Sequence, residues 1–135
     1  QADAATCAAV ARDAKRDGAG PGGATWVALS GRTTLAQLAA LLARAAAVVS
    51  NDSGAMHLAG AVGAPVVAIF GATNEHRTAP LTAGPGQPAP AIVTASAFCR
   101  PCLLRECPID HRCMTRISPA MVADAVARVA RPAPS

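Results

Sequence analysis

The sequence has 135 residues, of which 52% are hydrophobic and 15% charged. That is the length of one domain with a real core, and the composition excludes a disordered tail. The net charge of +4 comes from scattered arginines with a single Lys15, and with only two Phe, one Trp and no Tyr there is no basic, aromatic-studded surface of the kind that binds nucleic acid. Alanine accounts for 35 residues, so the core has to be built from Val, Leu, Ile and Ala. No apolar run approaches the ~18 residues of a membrane span, and no signal peptide is visible.

Residues 2–17 read as an alanine-rich helix with Val10 and Ala14 at helical spacing. Gly18, Gly20, Pro21, Gly22 and Gly23 break it. Thr25 to Leu29 reads as a short strand, and Ser30-Gly31-Arg32-Thr33 as a turn. Thr34 is placed to cap a helix with Leu35, Leu38, Leu41 and Leu42 on one face. Ala46 to Ser50 is an apolar strand, and Gly54 to Val62 a helix stopped by Gly63, with Pro65 just beyond. Val66 to Phe70 is another apolar strand. Residues 71 to 90 read as loop, and Ala91 to Ala95 as a further strand. A cysteine-rich segment, 98–113, precedes a last helix at about 118–130, with Ser118 as N-cap, Pro119 at the first position, and Met121, Val122, Ala125, Val126 and Val129 as its buried face. The chain then ends in a solvated tail. There is no internal repeat.

Apolar strands alternating with helices predict an α/β fold, a Rossmann-like parallel sheet with helices on both faces. Such sheets bind ligands at the carboxyl ends of their strands. Domains of this kind usually open with a strand. This chain opens with a helix and with Gln1 rather than Met, so it is expected to be part of a longer protein.

Ser50-Asn51-Asp52-Ser53-Gly54-Ala55-Met56-His57 joins a strand to a helix at such an end. Free N–H groups at a helix start favour an anion such as phosphate. Gly54 lets a ligand approach the backbone, Ser53 adds a donor, Asp52 can accept from sugar hydroxyls, and His57 stands about one turn further on. The plainer alternative is that Asp52 or Ser53 only caps the helix and that His57 is a surface or satisfied core histidine.

Val48 to Ala59 resembles the signature of the lipopolysaccharide heptosyltransferases. Ser30 to Leu35, Gly63 to Thr73, Arg77-Thr78-Ala79-Pro80 and Cys99 to Pro108 resemble its flanks in the same order, most like the second heptosyltransferase of the inner core. The resemblance implies the carboxyl-terminal, nucleotide-sugar-binding domain of a GT-B glycosyltransferase, present in part. It implies ADP-heptose as donor and lipid A–Kdo/heptose as acceptor, the acceptor and the catalytic base belonging to an amino-terminal domain outside this sequence. Asp52 would then meet the heptose or the diphosphate edge. Ser53, Gly54 and Ala55 would offer donors to the diphosphate, His57 would bind a phosphate or sugar oxygen, and the backbone near Thr33 would meet the adenine. No cofactor is required for the chemistry, this stretch alone is expected to be inactive, and the reaction is expected in the cytoplasm, at most peripheral to the inner membrane. A stand-alone nucleotide-sugar or metal-binding module, or a GT-B enzyme using another nucleotide-sugar, would fit the same residues.

Cys99, Cys102, Cys107 and Cys113 follow the spacing C-x2-C-x4-C-x5-C, with His111 in the last gap. Four soft ligands in fifteen residues suit tetrahedral structural zinc. Disulfides and free thiols are the alternatives, a cytoplasmic setting opposing disulfides. Cys7 is remote and reads as an ordinary small apolar residue.

Overall fold

The computed structural model describes residues 2–16, 25–81 and 84–132. It divides into two compact units, residues 1–38 and 39–135.

The first unit holds α1 (Ala2–Arg16) and the start of α2 (Leu35–Arg44). The expected glycine-rich break at 18–23 lies outside the described residues. The strand expected at 25–29 does not form. A strand needs a neighbour for its N–H and C=O groups, and no described strand pairs with it; Trp26, Val27 and Leu29 stand exposed instead. The turn that follows does form, with Arg32 N–H donating to the Leu29 carbonyl at 3.0 Å. Thr34 then starts α2 through a reciprocal cap. Its hydroxyl accepts from Gln37 N–H at 3.3 Å, and its own N–H donates to Gln37 Oε1 at 2.9 Å. The inward face of α2 runs through Leu38, Ala39, Leu42 and Ala43, while Leu35 and Leu41 are exposed. Four leucines at helical spacing thus overstate the stripe, which is turned by about one residue.

The second unit is a parallel three-stranded sheet in the order β1 (Val48–Asn51), β2 (Val66–Phe70), β3 (Ala91–Thr94). Val48 pairs with Val66, and Val67 with Ala91. The central strand carries apolar side chains on both faces, so it has to be covered twice. One face joins Val66, Ala68 and Phe70 to Met56 and Ala59 of α3 (Gly54–Ala61), with Leu42, Val48 and Val62 around them. The other joins Val67 and Val93 to Ala125 of α6 (Pro119–Val129), flanked by Val122, Val126 and Val129. Met121, expected on that face, is 39% exposed.

The helix ends follow their sequence signals. Gly63, at φ 75°, ends α3 in a Schellman motif: its N–H donates to Gly60 O at 3.0 Å, and Ala64 N–H to Ala59 O at 2.9 Å. Ser118 Oγ accepts from Met121 N–H at 3.3 Å, with Pro119 opening α6. Two four-residue helices were not expected: α4 (Glu75–Thr78) lies in the stretch read as loop, and α5 (Arg112–Thr115) begins at the end of the cysteine-rich segment. One helical turn is too short to register as periodicity. The tail is tied down at Arg131, whose backbone N–H donates to Ala46 O at 2.9 Å and whose guanidinium donates to Gly63 O at 2.7 Å. Among the described residues no helix is long and apolar enough to cross a membrane.

Candidate functional site at the carboxyl edge of the sheet

Strand β1 delivers Ser50 and Asn51 to the carboxyl edge, and α3 begins three residues later. Fully buried Met56 anchors the first turn of α3 in the core. That fixes the loop while leaving Gly54, Ala55 and His57 facing out. Ser53 occupies the N-cap position with extended backbone, but its side chain does not cap; its Oγ lies 3.1 Å from Ser50 Oγ. The first N–H groups of a helix have no acceptor within the helix, and the Ser53 side chain supplies none here. Gly54 has an ordinary φ, and a Cβ built on it meets nothing within 4 Å. The protein itself therefore does not require glycine there.

Asp52 does not cap either. Its Oδ2 accepts from the Thr78 hydroxyl at 2.9 Å, which ties the loop after β1 to the end of α4. Its Oδ1 lies 4.0 Å from His57 Nε2, with the Asp52 side chain 16% exposed and that of His57 51%. His57 is thus no core histidine, and helix capping accounts for neither Asp52 nor Ser53. The structure brings Asp52, Ser53, Gly54, Ala55 and His57 to one edge. Thr33 lies in the first unit, half-buried, one residue before the α2 cap.

Thr78, Glu75 and Arg100 complete this edge, and motif spacing gave none of them a role. Thr78 holds Asp52. Arg100, after β3, donates through Nε to the Gly71 carbonyl at 2.6 Å and through Nη2 to Glu75 at 2.9 Å. The loops after β2 and β3 are thereby clamped together, and Leu103 N–H adds a bond to Ala72 O at 3.0 Å. A backbone N–H donor, and then the Arg100 guanidinium, hold the Glu75 carboxyl below its ordinary value. Thr78 and Arg100 do fall in stretches that resemble the family, Arg77–Pro80 and Cys99–Pro108, and position is a second signal, because every ligand edge of a parallel sheet is built from the loops after consecutive strands.

Cys99, Cys102, Cys107 and Cys113 line one pocket of about 170 Å³ with His111, Asp110 and Arg112. All four are free thiols, with Cys113 buried and the others half-exposed. Among the described residues no three His, Cys, Asp or Glu side chains group as a metal ion would need, so the tetrahedral arrangement expected from the spacing is not preformed. In the first unit a roomier pocket of about 280 Å³ is lined by Val10, Trp26 and Leu29 among others, with no acid, base or histidine among its described lining residues.

A three-stranded parallel sheet covered on both faces by helices is a Rossmann-like α/β fold, with an uncapped helix start and a fixed carboxylate at its carboxyl edge. The particular family follows from comparison. The model of glycosyltransferase family 9 (heptosyltransferase) matches residues 5–112, and the chain belongs to that family. The chain is 31% identical over 105 residues to lipooligosaccharide heptosyltransferase 2 of Campylobacter jejuni serotype O:6, covering 77% of this chain and 32% of that one. It is 46% identical over 56 residues to the Haemophilus influenzae lipooligosaccharide heptosyltransferase 2, covering 42% of this chain and 16% of that one. It is 44% identical over 54 residues to the Escherichia coli lipopolysaccharide heptosyltransferase 2, covering 40% and 16%. The chain thus spans between about a sixth and a third of the curated relatives it matches. No solved structure gives a significant match.

Proposed function

We propose that this chain forms the nucleotide-sugar side of an inverting glycosyltransferase that adds heptose to the lipopolysaccharide inner core, with ADP-heptose as donor. The observation that carries this reading is the edge around Gly54. Nothing in the fold asks for glycine there, yet it sits at an uncapped helix start beside Asp52, Ser53 and His57. A ligand approaching the backbone explains the glycine, and an anionic one explains the uncapped donors.

The chemistry assigns the roles. Departure of ADP builds negative charge on the diphosphate, and fixed donors stabilise that charge better than mobile water. Ser53, Gly54 and Ala55 supply those donors, and His57 binds a phosphate or sugar oxygen. Asp52, held by Thr78, accepts from the sugar hydroxyls. Direct displacement at the anomeric carbon needs no covalent nucleophile on this chain. The base that deprotonates the lipid A–Kdo/heptose acceptor comes from the other half of the GT-B cleft. A lipid-linked acceptor brings the enzyme to the cytoplasmic surface of the inner membrane.

His57→Ala in the full-length enzyme tests this. A hydrogen bond to a charged group is worth roughly 1.5–3 kcal/mol. Donor affinity or turnover should therefore fall about ten- to a hundredfold at 1.4 kcal/mol per decade, with Tm nearly unchanged. Unchanged affinity and turnover, or an unfolded protein, would make His57 structural.

A further inference from the structure

We propose that Arg100 is a positioning residue of the donor site: acting through Glu75 and α4, it sets where the Asp52 carboxylate stands. The inference rests on the function proposed above, in which Asp52 accepts from the sugar hydroxyls.

The loop after β2 leaves the core at buried Gly71 and returns to it at buried Pro80. Both ends are closely packed. Met114 sits where a Cβ on Gly71 would go, and Pro80 lies against Gly60 of α3. Between them stands α4, a single turn in which no residue is buried. One turn does not hold itself in water, and this one has no core side to hold it. Its Asn74 cap, which accepts from His76 N–H at 3.0 Å, shapes the turn but ties it to nothing outside the loop. The bond from Leu103 N–H to Ala72 O falls before the turn begins.

Two side-chain bonds tie α4 to other elements, and their residues are three apart, on one face of the turn. At its start Glu75 accepts from Arg100 Nη2 at 2.9 Å. At its end the Thr78 hydroxyl donates to Asp52 Oδ2 at 2.9 Å. Arg100 suits the first tie. Its side chain is 12% exposed, and its Nε donates to the Gly71 carbonyl at 2.6 Å while Nη2 holds Glu75. A planar fork fixed at two points sets direction as well as distance, which a lysine ammonium does not.

The Asp52 carboxylate has a single hold. Among the described residues Thr78 is the one side chain that hydrogen-bonds it, and His57 Nε2, at 4.0 Å from Oδ1, is beyond that range. Where Thr78 goes the carboxylate follows, and Arg100 decides where α4 carries Thr78. A residue in the loop after β3 thereby governs a contact made by the loop after β1.

The test titrates ADP-heptose and ADP separately into the full-length enzyme. ADP lacks the sugar, so it reads the site without the contact that Asp52 makes. Arg100→Met should weaken ADP-heptose binding roughly three- to thirtyfold, the range over which a residue acting through a bonded network shifts affinity. ADP affinity should stay unchanged. In a Thr78→Val background the same substitution should do nothing further, because the route is already cut. Glu75→Ala, which spares the bond between Arg100 and Gly71, should reproduce the loss, and it serves where Arg100→Met does not fold. Equal weakening of ADP and ADP-heptose, losses that add in the double variant, or unchanged binding of both ligands would each overturn the inference. His57→Ala tells these apart from a failure of the reading beneath. If it weakens donor binding while Arg100→Met does not, the positioning role alone falls. If it too changes nothing, the donor is not on this edge and both fall.

Discussion

The carboxyl edge of the sheet and the cysteine segment both bring chemically active side chains to the surface, but by opposite means. At the edge, Gly54, Ala55 and His57 lie within two residues of fully buried Met56, and the loop at Gly71 follows directly on fully buried Phe70. In the cysteine segment only Cys113 is buried, and the large apolar side chains point outward. Groups on the first can be held in fixed positions, as differential stabilisation of a transition state needs. The second is held instead by polar bonds to the loop after β2, from Arg100 to the Gly71 carbonyl and from Leu103 N–H to Ala72 O, rather than by buried anchors of its own.

The largest contrast should appear in stability. Phe70→Ala removes a fully buried ring and should cost about 3–5 kcal/mol in denaturant unfolding, whereas Phe98→Ala, at 79% exposure, should stay within about 0.5 kcal/mol. Similar losses would erase the distinction between the two regions.

Next comes the clamp that joins the loops after β2 and β3. Arg100→Met removes the guanidinium that bonds Glu75 and the Gly71 carbonyl and should cost about 1–3 kcal/mol. It also carries a pH signature. The Glu75 carboxyl is depressed in the folded state from an ordinary value of 4.5. Its contribution is therefore fully present above that value and is lost as pH falls through the folded one. The stability difference between wild type and Arg100→Met should shrink on acidification below about 4.5. The part that remains in acid belongs to the bond with the Gly71 carbonyl and to packing, and a gap that does not shrink at all would leave the ion pair no share.

Smaller still, Thr78→Val removes the hydroxyl that fixes Asp52 and should cost about 0.5–1.5 kcal/mol. Donor affinity should fall with it, because the carboxylate is no longer held. Unchanged affinity would mean that Asp52 needs no positioning.

These regions also differ in how far the sequence reveals them. Apolar runs such as Val66–Phe70 announce a covered parallel strand, and Ser118-Pro119 and Gly63 announce helix ends, because each depends on local chemistry that no other element overrides. The Trp26–Leu29 run has the same local chemistry, yet pairing is a property of the neighbour. Ser50 to His57 could be read as a site because strand, loop and helix are contiguous. Thr78 and Arg100 could not, since their partners Asp52 and Glu75 lie 26 and 25 residues away. Cysteine spacing suggested a metal, but spacing gives the number of ligands and not the direction of their sulfur atoms.

The account turns on Gly54, where the fold and the donor make opposite demands. Alanine is the better helix former by up to about 1 kcal/mol, and its methyl group meets nothing in the protein. Titration of ADP-heptose into the full-length Gly54→Ala enzyme, beside thermal unfolding of the same preparation, separates the two. The prediction is a Tm equal to or above wild type with donor affinity reduced at least about tenfold, some 1.4 kcal/mol. Wild-type affinity in a stably folded Gly54→Ala protein would contradict the placement of the donor on this edge.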